Sequence, residues 1–124
     1  MSRVALVTGG GSGIGRASAL ALAEAGFIVV VAGRRAEPLE AAAAEIDRDA
    51  VALTCDVRDP ASLAALFAEI EARFGRLDVL FNNAGVGAPP LPLEELDIEQ
   101  WRAVIETNLT GTFLCTQEAF RLMK

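Results

Sequence analysis

The sequence predicts an α/β protein built on a doubly wound parallel sheet. Three observations carry this. Short apolar runs alternate with longer helical patterns along all 124 residues. A glycine cluster, Thr8-Gly9-Gly10-Gly11-Ser12-Gly13-Ile14-Gly15, joins the first apolar run to the first helical pattern. No internal repeat or linker interrupts the alternation. Alternation at this spacing means βαβ units, whose right-handed crossovers put helices on both faces of one sheet.

Strands are predicted near 3–8, 27–33, 50–55 and 77–82, and helices near 14–25, 36–47, 60–74 and 98–123. Val4-Ala5-Leu6-Val7 is an unbroken apolar run, as suits a strand buried on both faces. In the first helix Ile14, Ala17, Ala21 and Ala25 recur at helical spacing, and such small residues let it pack close to the sheet. Ala41 to Ala44 is a strong helix former in the second. Asp59-Pro60 reads as an N-cap followed by proline at the first helical position. Gly26 and Gly75 stop the helices before them. Asp97 with Gln100 three residues on resembles a capping box. Gly87 to Pro92 holds three prolines and is a loop; loops after strand C-termini in such sheets border the ligand crevice.

Composition narrows the function. A chain of 124 residues has room for one domain and a real core, and 52% hydrophobic residues exclude a disordered tail. The apolar stretches are broken by Gly, Arg or Glu, so none spans a bilayer, and no signal-peptide pattern opens the chain. A net charge of −6 argues against nucleic acid or an anionic membrane as partner. Cys55 and Cys115 stand far apart and histidine is absent, which implies a reduced, cytoplasmic setting and no metal site.

The glycine cluster is a phosphate cradle. Glycines remove the Cβ atoms that would block an anion, and the helix N-terminus behind them supplies free N–H donors and a partial positive charge. The spacing discriminates. Counting from Gly9 and Gly11, the G-x-G-x-x-G fingerprint needs glycine where Ile14 stands. A Walker loop started at Gly10 reaches Gly15 but then needs Lys and Ser or Thr, and meets Arg16-Ala17 instead, which argues against a nucleotide triphosphatase. The pattern present is T-G-x-x-x-G-x-G. At the end of the second strand, where NAD-preferring sites carry an acid about 20 residues past the glycines, this chain has Gly33 followed by Arg34 and Arg35. A guanidinium there binds a 2′-phosphate that an acid would repel, so the preferred cofactor is NADP(H), with NAD(H) possible. The alternative is a solvated arginine pair held by Glu37 or Glu40.

Four pieces in order, the glycine loop at 8–15, Cys55-Asp56-Val57, Asn82-Asn83-Ala84-Gly85 and Asn108-Leu109, resemble the short-chain dehydrogenase/reductase family. The resemblance covers the whole chain but only the N-terminal half of a usual member. It implies a Rossmann-type domain over 1–124 with strand order 3-2-1-4. It also implies hydride transfer between a nicotinamide and a small-molecule carbonyl or alcohol substrate, and a homo-oligomeric parent that pairs through 98–123. By resemblance Gly9, Gly11, Ser12, Gly13, Ile14 and Gly15 hold the pyrophosphate. Asp56 and Val57 frame the adenine, and Asn83, Ala84 and Gly85 meet a ribose, with Asn83 closest. Asn108 is expected on the inner face of the last helix, in a stripe with Trp101, Val104, Ile105, Thr112 and Cys115. In the family this asparagine holds a helix distortion and a water of the proton relay. The loop 86–96 would form one wall of the substrate pocket.

Related enzymes place a serine and a Tyr-x-x-x-Lys in the half that would follow Lys124. This chain has no tyrosine and no histidine, and its only lysine is Lys124. Its own 124 residues are therefore expected to be catalytically inactive and poorly stable, with the fourth strand a bare edge. A non-catalytic dinucleotide-binding module is the competing reading.

Overall fold

The computed structural model describes residues 2–46 and 49–124. Four strands, β1 (Val4–Thr8), β2 (Ile28–Gly33), β3 (Val51–Thr54) and β4 (Val79–Phe81), form one parallel sheet in the order β3-β2-β1-β4. The expected strand order is thus observed. Helices α1 (Gly13–Glu24), α2 (Ala36–Ile46) and α3 (Pro60–Phe74) alternate with the strands. The expected end of the second helix at 47 lies outside the described residues. After β4 come a loop, a 3₁₀ turn (Leu93–Glu95), α4 (Ile98–Ile105) and α5 (Gly111–Met123).

Strand alternation sorts the core into two layers. Val4, Leu6, Val30 and Ala32 face α3 and α5, meeting Leu63, Phe67, Ile70, Cys115 and Ala119. Val7, Val29 and Val31 face α1 and α2, meeting Ala19, Leu39 and Ala43. All five residues of β1 are buried, so the reading of Val4–Val7 as two-sided was correct. Each valine or leucine so covered contributes about 1.5–3 kcal/mol.

The local stop and start signals hold. Asp59 accepts the Ala61 N–H at 3.0 Å with Pro60 at the first helical position. Asp97 and Gln100 form the reciprocal capping box, at 2.8 and 3.1 Å. Gly75 ends α3 in the left-handed conformation. At the end of α1 the Gly26 N–H donates to Ala23 and the Phe27 N–H to Leu22, the paired closure of a Schellman motif.

Two expectations need correction. The inward stripe of α1 is not Ile14, Ala17, Ala21 and Ala25, which are exposed, Ile14 at 73%. Gly15 and Ala19 are its buried residues, with Leu22 and Ala23 packed beside them. Second, 98–123 is not one regular α-helix. Glu106–Thr110 is a π-helical segment between α4 and α5. The wider turn shifts the buried stripe to Thr107, Gly111, Cys115 and Ala119, and leaves Trp101 and Asn108 exposed. Gly111 explains the register: a Cβ there would stand 2.8 Å from Val57 Cγ2 and 3.1 Å from the Val57 carbonyl oxygen.

At the opposite end of the sheet Asp78 ties β1 to the start of β4. Its carboxylate accepts the Val4 N–H at 2.8 Å and two Arg76 guanidinium bonds at 2.9 and 2.7 Å. The Arg76 bonds first, then the Val4 amide, hold its carboxyl below the ordinary value of 3.8. A depressed folded pKa adds stability that is complete above the unfolded value and is lost as pH falls through the folded one. Wild type is therefore expected to lose urea resistance on acidification below about pH 4 more steeply than Asp78→Asn, measured as unfolding midpoints between pH 6 and 3. Parallel curves would show that the latch carries no linkage.

Candidate functional site

The C-terminal ends of the strands converge on Thr8. Its hydroxyl is buried, accepts the Asn83 and Ala84 N–H groups, both at 3.0 Å, and donates to the Phe81 carbonyl at 3.4 Å. The end of β4 is thus tied to the end of β1. Gly9 follows at φ +65°, and the Gly9 and Gly10 N–H groups both bond the Ala32 carbonyl at the end of β2, at 2.8 and 3.3 Å. Asn83 donates its side-chain amide to the Gly9 carbonyl at 3.2 Å. Asn82 reaches the Thr116 hydroxyl on α5 at 3.0 Å. Gly15 lies against this assembly so closely that a Cβ would collide with the Gly9 carbonyl oxygen and the Asn83 amide. The glycine loop is therefore held from three sides before any ligand arrives.

The mouth of α1 is open. Ser12 makes no side-chain cap bond, and no acidic residue occupies the first turn. The Arg16 N–H bonds the Ser12 carbonyl at 3.2 Å, so the Gly13, Ile14 and Gly15 N–H groups have no acceptor within the helix. Both α3 and α4 are capped by aspartates instead. Uncapped donors at the positive end of a helix, with no side chain on the glycines to screen them, fit a pyrophosphate.

Two adjoining cavities open from this mouth and share Gly9, Gly33 and Arg34. One runs along Gly11 and Ser12 to Arg35 and Pro38. The other runs across Cys55, Asp56 and Val57 to Ala84, Gly85, Val86 and Thr107. The structure thus gathers Gly9, Gly11, Ser12, Arg34, Asp56, Val57, Ala84 and Gly85 into one groove. Gly13 and Ile14 sit at its helical mouth. Gly15 and Asn83 lie behind the loop and line neither cavity. Among the described residues neither Arg34 nor Arg35 makes an ion pair, so the Glu37 or Glu40 partner is not found.

Asn108 departs from its expected burial. It is exposed, and its amide pairs with the Val86 backbone in both directions: the Val86 N–H donates to Oδ1 at 2.8 Å and Nδ2 donates to the Val86 carbonyl at 2.9 Å. Position 108 lies within the π-helical segment, as the expected helix distortion requires. A Cβ on Gly85 would approach Asn108 Oδ1 to 3.2 Å, so the small residue lets the helix clamp the chain just after β4.

Sequence reasoning missed Arg58. Its backbone N–H and side chain grip Asp56, and these bonds hold the Asp56 carboxyl below the ordinary carboxylate range, with Arg34 adding a smaller pull. The D-x-R spacing was a local signal for this pair. Thr107 was also missed as part of the site, and the partners of Thr8 and Val86, two residues inside the predicted loops, were not foreseen because they lie far away in sequence. The two cysteines share one core layer. Burial raises the Cys55 thiol, with Asp56 and Asp59 adding to it against a Ser62 hydrogen bond, and pushes Cys115 up to about 12. Both stay protonated at neutral pH and neither is an activated nucleophile. Among the described residues no group of three His, Cys, Asp or Glu could hold a metal, and no helix is long and apolar enough to cross a membrane.

Comparison with known proteins agrees with this geometry. The family model described as short chain dehydrogenase matches residues 3–124. A cis-4-hydroxycyclohexanecarboxylate dehydrogenase of Sinomonas cyclohexanicum is 46% identical over 98% of this chain and 49% of its own. A 3-oxoacyl-[acyl-carrier-protein] reductase of Synechocystis is 42% identical over 98% of this chain and 51% of its own. Among solved structures, an actinorhodin polyketide ketoreductase variant with NADPH matches at TM-score 0.92 and 41% identity, over 98% of this chain and 47% of that one. A 3-ketoacyl-(acyl-carrier-protein) reductase from Brucella melitensis complexed with NADH matches at 0.93 and 34%, over 96% and 49%. The chain spans about half the length of the curated relatives it matches.

Proposed function

Because the chain belongs to the short chain dehydrogenase family, we propose that it is the cofactor-binding half of an NADP(H)-dependent oxidoreductase acting on a small carbonyl or alcohol. The observation that carries this reading is the uncapped mouth of α1 opening into a groove that passes Arg34. The bound nicotinamide supplies or accepts the hydride. This chain's residues do the holding. Gly11, Ser12, Gly13 and Ile14 present backbone donors to the pyrophosphate, Gly9 makes the turn that lets the loop approach it with its own N–H on Ala32, and Gly15 and Asn83 keep that loop in place. Ala84 and Gly85 let a ribose lie against the backbone. Asp56 accepts from the adenine amine and Val57 flanks the ring. Asn108, through Val86, steadies the start of the loop 86–96 beside the substrate.

Arg34 sets the cofactor choice. Arg34 lines both cavities, and the end of β2 before it carries Gly33 where an acid would repel a 2′-phosphate. Domain 1–124 carries no tyrosine or histidine. We therefore assign the proton donor for the substrate to residues outside these 124, so that the chain alone binds cofactor without turnover. A homo-oligomeric whole protein is supported by the exposed Leu109, Phe113 and Phe120 of the last helical segments. A reducing, cytoplasmic compartment is supported by two free thiols.

The test is a titration of the purified chain with NADPH and NADH, followed by nicotinamide fluorescence. Wild type is expected to prefer NADPH by about tenfold or more, the worth of a charge-assisted phosphate contact. Arg34→Ala removes that preference and leaves NADH affinity unchanged. Equal affinities that the substitution does not alter would overturn the NADP(H) assignment.

A further inference from the structure

Arg58 is the residue of this site whose geometry the reading above leaves unused. It stands two positions past Asp56 and donates to its carboxylate three times. The Arg58 backbone N–H and Nε both reach Oδ1, at 3.0 and 3.1 Å, and a terminal guanidinium nitrogen reaches Oδ2 at 2.9 Å. An ionised carboxylate offers about four lone-pair positions and no donor. Two of Arg58's bonds fill Oδ1 and the third takes half of Oδ2. One acceptor position remains. Asp56 itself lines the groove with Arg34 and Val57, and it also lines a shallower outer cavity with Arg34 and Ser62.

The count has a chemical meaning. A carboxylate free to turn can offer either oxygen to a ligand, or swing to water and ignore it. A carboxylate held by a planar fork keeps one orientation, so its remaining position must be met by a donor or stand unpaired. A base edge with an exocyclic amine supplies one N–H there. A base edge with a carbonyl at the same place sets oxygen against oxygen and leaves both unpaired.

The geometry points to Arg58 as the positioning residue for base selectivity: by fixing Asp56 with a single open acceptor, it makes the groove favour a 6-amino purine over a 6-oxo purine. The inference rests on the dinucleotide reading above and deepens it. Arg58 acts only through Asp56. Its side chain is one-third exposed, so removing it leaves no buried charge behind and spares the core.

The experiment titrates wild type, Arg58→Ala and Arg58→Lys with NADPH and with its hypoxanthine counterpart, which carries a carbonyl oxygen in place of the amine and a hydrogen on the neighbouring N1. Both ligands report through nicotinamide fluorescence, and circular dichroism checks the fold of each variant. Wild type is expected to favour the amino form by about tenfold or more, since a site built to pair a donor rejects the analogue lacking it. In Arg58→Ala the ratio falls to within about threefold, mostly through weaker NADPH binding. Arg58→Lys keeps the charge but not the fork, and its ratio falls likewise; should the alanine variant fail to fold, the lysine variant decides. A ratio retained by the variants, or equal weakening of both ligands, overturns the inference and leaves the dinucleotide reading standing. No binding of either ligand by folded wild type overturns that reading, and this inference with it.

Discussion

Thr8→Val is expected to loosen the site and to lower the stability of the fold. The substitution keeps shape and volume but removes the oxygen that accepts from Asn83 and Ala84 at 3.0 Å each. The Asn83 N–H keeps its bond to the Phe81 carbonyl at 3.0 Å, but the partly covered Ala84 N–H loses its partner, at about 1–3 kcal/mol. The loss concentrates where β4 meets β1, a junction of only three paired residues. The expected result is a fall in melting temperature of about 4 °C or more, taking about 4 °C per kcal/mol for a chain of this size. Thr8→Ser restores the acceptor and most of the stability, and the comparison by thermal denaturation separates the hydroxyl from the methyl group. A valine variant that melts with wild type would mean the Ala84 amide finds water at no cost.

Gly15→Ala is expected to be nearly as severe for a different reason. A methyl group at position 15 has no space, because the Gly9 carbonyl and the Asn83 amide occupy it. Helix α1 must withdraw from the strand ends or the loop must move, and overpacking of this kind costs about 1–3 kcal/mol. Either adjustment displaces the amides at the helix mouth. NADPH affinity should drop by about tenfold or more, since a shift of a few tenths of an ångström in several converging donors readily exceeds 1.4 kcal/mol. Gly87→Ala is the control: a Cβ there meets nothing within 4 Å, so stability and affinity should both stay near wild type. Isothermal calorimetry on the two variants checks the contrast. Equal NADPH affinities for Gly15→Ala and wild type would mean that the loop yields without cost.

The sheet was legible because its signals are local and redundant. Val4–Val7 and Val29–Val31 are continuous apolar runs of strand length, and Asp59, Asp97, Gly26 and Gly75 each mark a helix end through partners a few residues away. The glycine loop was legible for the same reason. What failed was the choice of face. In α1 the buried Gly15 and Ala19 differ little in size from the exposed Ala17 and Ala21, so periodicity finds a stripe without saying which side the sheet takes. The deciding contact is Gly15 against Gly9 and Asn83, and Asn83 lies far along the chain. The exposed Asn108 was misjudged likewise, because the π-helical segment depends on Gly111 pressing against Val57, a contact no window around position 108 contains. Arg58 is a different kind of miss. Its bonds to Asp56 span two residues and were within reach of local reading, but an arginine after an acidic turn usually reads as solvated charge.

The five residues Glu106–Thr110 act as a phase shifter. Each residue of an α-helix turns the side chains about 100° around the axis. One widened turn therefore lets the helical stretch before it and the stretch after it present different azimuths. Downstream, Cys115 and Ala119 stay meshed with the core; within the turn itself, Asn108 is aimed at Val86 instead. A single-residue deletion in that turn would remove only one peptide unit yet rotate one stretch against the other, as a slipped tooth misaligns two gears.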